Sequence, residues 1–229
     1  MTDRWKEFIE KGIAAAGGPV PFALSQWTFL LPLYVAITSA VPKGARVLDV
    51  GTGAGTFAAL VAHHGYDVVA VDQDPEIVDY ATEMAAYLRS PVRIERADAF
   101  DLSRYRDRFD LVYSIGVVEH FDRPETIRLI AEQARCAPRV LVSVPTSFTR
   151  HTGPVTDERI YSRTELARMI GEAGLRVTRS FGYGDVPGRT GLALSRVLPK
   201  VGYRALQQFC GYSMAVCALG VRQVTAPAD

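Results

Sequence analysis

The chain has 229 residues, 48% of them hydrophobic and 22% charged, a mixture that allows one sizeable core and excludes disordered and fibrous proteins. Lys and Arg number 26 against 25 Asp and Glu, so a formal net charge of +1 supplies no overall field to gather nucleic acid or acidic lipid. Three scattered cysteines, Cys136, Cys210 and Cys217, suggest neither a disulfide framework nor a zinc site and fit a reducing cytoplasm.

The opening MTDRWKEFIEKG carries acids and no apolar core, unlike a signal peptide. The apolar stretch Pro19 to Val41 holds Pro19, Pro21 and Pro32 with Ser25, Gln26 and Thr28, poor material for a spanning helix. It reads as a lid without stable membrane insertion. From residue 46, β-branched runs alternate with helical patterns. Strands are expected at Arg46–Val50, Asp67–Val71, Val92–Glu95, Phe109–Ser114 and Arg139–Val144. Helices are expected at Thr56–His64, from Asp74-Pro75 to about Arg89, and at Pro124–Cys136 with Ile127, Ile130, Ala131 and Ala134 on its apolar face. After Pro145 follow a polar loop, the helix Arg163–Ala173 stopped by Gly174, the strand Leu175–Phe181, a helical insertion interrupted by Pro199, and the strand Ser213–Val224.

Such alternation implies βαβ units. The expected fold is α/β: a Rossmann-like, mostly parallel seven-stranded sheet with helices on both faces, the last strand antiparallel, and an N-terminal helical lid. One domain is expected, divided into a lid (1–44), a cofactor-binding core (45–184), a helical insertion (185–210) and the last strand and tail (211–229).

The segment Asp49-Val-Gly51-Thr52-Gly53-Ala-Gly55-Thr lies between a predicted strand and a predicted helix, where backbone must approach a ligand closely. Asp72 ends the next strand, where a carboxylate can accept both ribose hydroxyls of an adenosine ligand. The third glycine comes one place earlier than in a dinucleotide fingerprint, and Asp49 stands two places before the first. A carboxylate there would repel a pyrophosphate and attract an ammonium group. The pattern therefore points to a cofactor with an adenosine and an amino acid.

The chain resembles the class I S-adenosylmethionine-dependent methyltransferases in VLDVGTGAGTF (47–57), VVAVDQD (68–74), ADAFDL (97–102), FDLVYSIGVVEHF (109–121) and RVLVSVP (139–145). The resemblance implies that Asp49, Gly51, Thr52, Gly53 and Gly55 line the methionine part of S-adenosyl-L-methionine. It implies that Asp72, with Gln73 beside it, binds the ribose and that Asp98 accepts from the adenine amino group, with Ala99 and Phe100 at the ring. Ser114, Ile115 and Gly116 would lie near the methyl group.

Glu119 and His120 follow the fourth strand, on the rim where a base could reach an acceptor, and His151 is a second base candidate. Some quinone-biosynthesis O-methyltransferases carry a further acid three residues before this Glu. Here that position is Gly116, so metal-independent chemistry is expected. The Asn/Asp-Pro-Pro-Tyr of amino-methylating DNA enzymes and the Pro-Cys of cytosine C5 enzymes are both missing. The acceptor is thus expected to be a small hydrophobic or aromatic molecule methylated on oxygen, with nitrogen or carbon as alternatives. Phe22, Trp27, Phe29 and Tyr34 of the lid and Tyr161 would bind it. A carrier domain, a membrane-borne substrate and a homo-oligomer stay open. Two rival readings also stay open: a methyltransferase-like protein that catalyses a rearrangement or serves as a partner subunit, and a nicotinamide-dependent oxidoreductase. The second is disfavoured by the early third glycine and by the lack of a Tyr-x-x-x-Lys pair.

Overall fold

The computed structural model describes residues 2–149, 158–186 and 189–223. The strands are β1 (Arg46–Val50), β2 (Asp67–Asp72), β3 (Arg93–Arg96), β4 (Leu111–Ile115), β5 (Arg139–Pro145), β6 (Leu175–Tyr183) and β7 (Ala215–Arg222). They form one seven-stranded sheet in the order β3-β2-β1-β4-β5-β7-β6. The first five run parallel, and β7 runs antiparallel to both β5 and β6. The expected sheet is therefore present, last strand included. From β1 the chain steps one way to β2 and β3, then crosses back to β4 on the other side of β1. The carboxyl ends of β1 and β4 thus flank a switch point, the place where an open α/β sheet leaves a crevice.

The helices are α1 (Thr2–Ala16), α2 (Pro19–Ala40), α3 (Thr56–His63), α4 (Pro75–Tyr87), α5 (Arg123–Cys136), α6 (Arg163–Glu172), α7 (Arg189–Val197) and α8 (Lys200–Cys210). Local chemistry starts several of them. The Asp74 side chain accepts from the Glu76 N–H at the head of α4, with Pro75 in its first turn. Reciprocal capping boxes, Asp122 with Glu125 and Ser162 with Glu165, open α5 and α6.

Alternate residues of the sheet pack on different helices, as the pleat requires. Val47, Leu111, Tyr113 and Leu141 join a core with Leu30, Leu33 and Ile37 of α2 and Phe57 and Val61 of α3. Val140, Val142 and Val144 pack with Leu129 and Ile130 of α5 and Leu166 and Met169 of α6. The buried face of α5 differs from the predicted one. Thr126, Leu129, Ile130 and Gln133 are buried, while Ile127 and Ala131 are only half-buried. Polar partners permit this: Thr126 Oγ1 donates to the Val118 carbonyl at 2.8 Å, and Gln133 Oε1 accepts from Ser114 Oγ at 3.3 Å.

The N-terminal segment is less a lid than a layer of the core. Among the described residues, α2 is the one helix long and apolar enough to cross a membrane. It runs through Pro32, and its Leu30, Leu33, Ala36 and Ile37 are buried in the core. Its opposite side leaves Val20, Leu24, Leu31 and Val35 exposed.

Candidate active site

The turn after β1 is built around glycines in the left-handed region. Gly51, Gly53 and Gly55 have φ of 75°, 54° and 69°, which side chains rarely tolerate. At Gly51 a Cβ would also come within 2.4 Å of Val117 Cγ2, so this glycine lets the turn after β4 close against the turn after β1. Gly55 serves packing instead: a Cβ there would stand 3.1 Å from that of Ala81 on α4.

Between these turns lies a cleft of about 910 Å³ including its open mouth, the size of a small-molecule site. Gly51, Gly53, Asp72, Gln73, Asp98, Ala99, Phe100 and Gly116 border it, as do His120, Phe121, Val117 and Ile77. Asp72 is held by backbone: Oδ2 accepts from the Gly53 N–H at 3.3 Å and Oδ1 from the Asp74 N–H at 3.2 Å. Each carboxylate oxygen has further lone-pair capacity for a hydroxyl. Burial raises this carboxyl above its ordinary range, against the pull of those N–H groups. On another wall, Phe100 meets Phe121 edge-on with centroids 5.0 Å apart, and the Arg128 guanidinium lies 5.0 Å from the Phe100 ring centroid. Asp98 is exposed, and its Oδ1 accepts from the Phe100 N–H at 2.9 Å, fixing the turn after β3.

No residue of α3 borders this cleft. The Gly55 N–H points to the Thr52 carbonyl, 3.0 Å away. A dinucleotide's pyrophosphate would need the free N–H groups of that helix start, so the geometry disfavours a nicotinamide cofactor.

Asp49 lies behind the glycine turn, 4% exposed. The Thr52 hydroxyl donates to it at 2.7 Å, and Tyr113 faces it across the β1–β4 ladder. Burial pushes the Asp49 carboxyl up to about 7; the hydrogen bond from Thr52 opposes the rise, and the charge of Asp72 adds to it.

After β4 the chain makes a short 3₁₀ turn, Val118–His120. Glu119 is 1% exposed, and its Oε2 has no hydrogen-bond partner among the described residues. Burial, with the charge of Glu158 adding to it, pushes this carboxyl up to about 8. Residues 158–162, ahead of α6, lie against this turn: the Arg159 N–H donates to the Glu119 carbonyl at 2.9 Å, and the Tyr161 hydroxyl to the Phe121 carbonyl at 3.4 Å. Ligand atoms of Glu119, His120 and Glu158 lie within 4.8 Å of one another, a set able to hold a divalent cation. The sequence reading missed Glu158, which only the return of the chain brings to this place.

Residues 47–138 match the family model described as a methyltransferase domain. A ubiquinone biosynthesis O-methyltransferase of Coxiella burnetii is 31% identical over 83 residues, 36% of this chain and 36% of that protein. This chain thus matches only about a third of that relative's length. Among solved structures, magnesium protoporphyrin IX methyltransferase from Synechocystis PCC 6803 with bound SAH superposes with TM-score 0.65 at 17% identity, over 97% of this chain and 94% of that one. The (4+2)-cyclase SpnF superposes with TM-score 0.61 at 20% identity, over 85% and 81%. Residues 47–138 are thus similar to a methyltransferase domain, and the whole described chain shares the fold of solved methyltransferases.

The cleft fits S-adenosylmethionine in three respects. The turn admits a ligand where side chains would obstruct it, a held carboxylate stands at the rim, and apolar walls of Ile77, Ala99 and Phe100 suit a flat ring.

The other predicted residues fall elsewhere. Asp49 sits behind the glycine turn with the Thr52 side chain turned toward it, and Ser114 is turned toward α5. Ile115 packs against the core that contains α2. Phe22 is buried with Ile9 and Ala54, close to the glycine turn. Trp27 stacks on His64 with centroids 5.0 Å apart, and Tyr34 packs 5.0 Å from the same imidazole. Neither Trp27 nor Tyr34 borders the cleft, because their rings are engaged in joining α2 to α3. Phe29 packs on Tyr183 at 5.2 Å, and Tyr161 is walled in beside Val118 and Leu166. His151 lies outside the described residues.

Proposed function

We propose that this chain transfers a methyl group from S-adenosylmethionine to a small hydrophobic or aromatic acceptor, on oxygen, in quinone-like or secondary-metabolite biosynthesis. One observation carries the proposal: a rim carboxylate, Asp72, held by two backbone N–H groups in a cleft that Phe100 also borders and that no residue of α3 reaches. The partial similarity to a ubiquinone biosynthesis O-methyltransferase supports the acceptor class.

When bound, the cofactor would supply an electrophilic methyl group on a sulfonium. The protein's part is to align the acceptor and exclude water. In this reading Asp72 takes the ribose hydroxyls, Asp98 the adenine amino group, and Asp49 attracts the ammonium of the amino-acid tail. His120, on the cleft wall, takes the acceptor's proton. Glu119 keeps its own proton at neutral pH and so is the poorer base. The reaction is proposed to need no metal; reversible loss of activity on chelation would instead assign a cation to Glu119, His120 and Glu158. The free, buried Cys136 and Cys217 support a cytoplasmic location.

A second reading, catalysis without methyl transfer, is favoured by the likeness to a cyclase. Calorimetry should show binding of S-adenosylhomocysteine and none of NAD. Mass spectrometry of aromatic and quinol acceptors should then show one added methyl group. Tight cofactor binding with every acceptor unmodified would favour the second reading, and absence of cofactor binding would overturn both.

A further inference from the structure

We propose that the α7–α8 hairpin docks the protein on anionic phospholipid membranes, lying in the interface without crossing it. The even overall charge conceals a local excess. Between residues 186 and 212 the sequence has Arg189, Arg196, Lys200 and Arg204 and no Asp or Glu. That segment is thus +4 in a chain of +1.

The hairpin also exposes apolar side chains that a solvated surface has no use for. Val197 is 80% exposed, Val201 81% and Phe209 71%. Val197 ends α7, and Val201 lies just past the Leu198-Pro199 corner. On α8, Val201 and Phe209 stand roughly 80° apart around the helix axis, with Lys200 and Arg204 beside Val201 on the exposed side.

The inward side is already engaged. Tyr203 is 7% exposed, Gln207 Nε2 donates to the Gly184 carbonyl at 3.1 Å and to Asp185 at 3.0 Å, and Arg163 donates to the Gln208 and Phe209 carbonyls at the helix end. The outward apolar residues therefore contribute nothing to the fold as it stands. Basic and apolar groups together on one exposed face match the headgroup–acyl boundary: cations meet anionic headgroups while Val and Phe side chains enter the acyl region. Bare charge complementarity to an acidic protein would not need the apolar residues.

The test is co-sedimentation of the full chain with vesicles of phosphatidylglycerol and phosphatidylcholine, compared with phosphatidylcholine alone. The anionic vesicles should bind it at least tenfold better, and added salt should weaken the binding. Lys200→Glu/Arg204→Glu and, separately, Val201→Asp/Phe209→Asp should each lower partitioning tenfold or more. Because these side chains are exposed, the variants should fold, and unchanged calorimetric binding of S-adenosylhomocysteine would verify it. Equal partitioning of wild type and both variants, or partitioning of neither, would overturn the proposal. So would a wild-type dimer in sedimentation velocity that Val201→Asp/Phe209→Asp dissociates, since a second copy would then cover the face.

Discussion

The turn after β1 and the turn after β4 each bury a carboxyl group, and they bury it differently. Asp49 has partners for its charge: it accepts a hydroxyl from Thr52, faces Tyr113, and is pushed only to about 7. Glu119 leaves one oxygen without a partner among the described residues and is pushed to about 8, with a second carboxylate near it. The first acid is poised to release its proton when a cation such as an ammonium arrives. The second is a neutral acid beside a histidine that borders the cleft. In the proposed mechanism the first turn therefore holds the charged end of the ligand, while the second supplies proton chemistry at the cleft wall.

The largest test of this division is His120→Ala. It should lower turnover by roughly 10²–10⁴-fold, the usual range for a general base, and change S-adenosylhomocysteine affinity far less. Equal losses in turnover and affinity would erase the distinction between the turns. On the other side, Asp72→Ala should weaken S-adenosylhomocysteine binding by about 1–3 kcal/mol, the cost of losing charge-assisted hydrogen bonds; calorimetry reads it directly.

Gly51→Ala probes the contact between the two turns. A Cβ 2.4 Å from Val117 Cγ2, at a φ of 75°, should cost about 1–3 kcal/mol of stability in urea unfolding. Gly44→Ala, also at positive φ but with nothing near its Cβ, should cost less.

The last test concerns Glu119 and reads pH dependence in place of a single difference. In the unfolded chain this carboxyl ionises near 4.5, whereas in the folded protein it holds its proton to about 8. Its contribution to stability is therefore fully present below the lower value. It is lost as pH rises between the two, because the unfolded state sheds the proton first. Glu119→Gln cannot titrate, so its stability relative to wild type should climb steadily between about pH 5 and pH 8 and level off above. A constant difference across that range in thermal unfolding would show that Glu119 is ionised throughout.

Periodicity and turn chemistry were enough for nearly all elements, since strands such as Arg46–Val50 and helices opened by Asp74-Pro75 announce themselves locally. Half of the site was legible too. The glycine turn, Asp72, Asp98 and Phe100 lie at sequence positions fixed relative to strand ends, and the sheet carries those ends to one edge. The remainder was not legible, because side-chain neighbours across elements leave no local pattern. Trp27 and Tyr34 look like acceptor contacts in a chain of letters, yet Trp27 stacks on His64 and Tyr34 packs against the same ring at a tilt. Ser114 looks like a cleft residue, yet it bonds to Gln133.

The sequence by itself determined the order of strands and helices, the close-approach turn and the acids at the carboxyl ends of β1, β2 and β3, for these depend on residue spacing alone. Only the tertiary structure decided that His120 joins the cleft wall, that Glu158 meets Glu119 from the far side of β5, and that α2 is core rather than lid. The reason is physical. Spacing fixes a residue's place along an element, but burial and pairing depend on what another element brings against it.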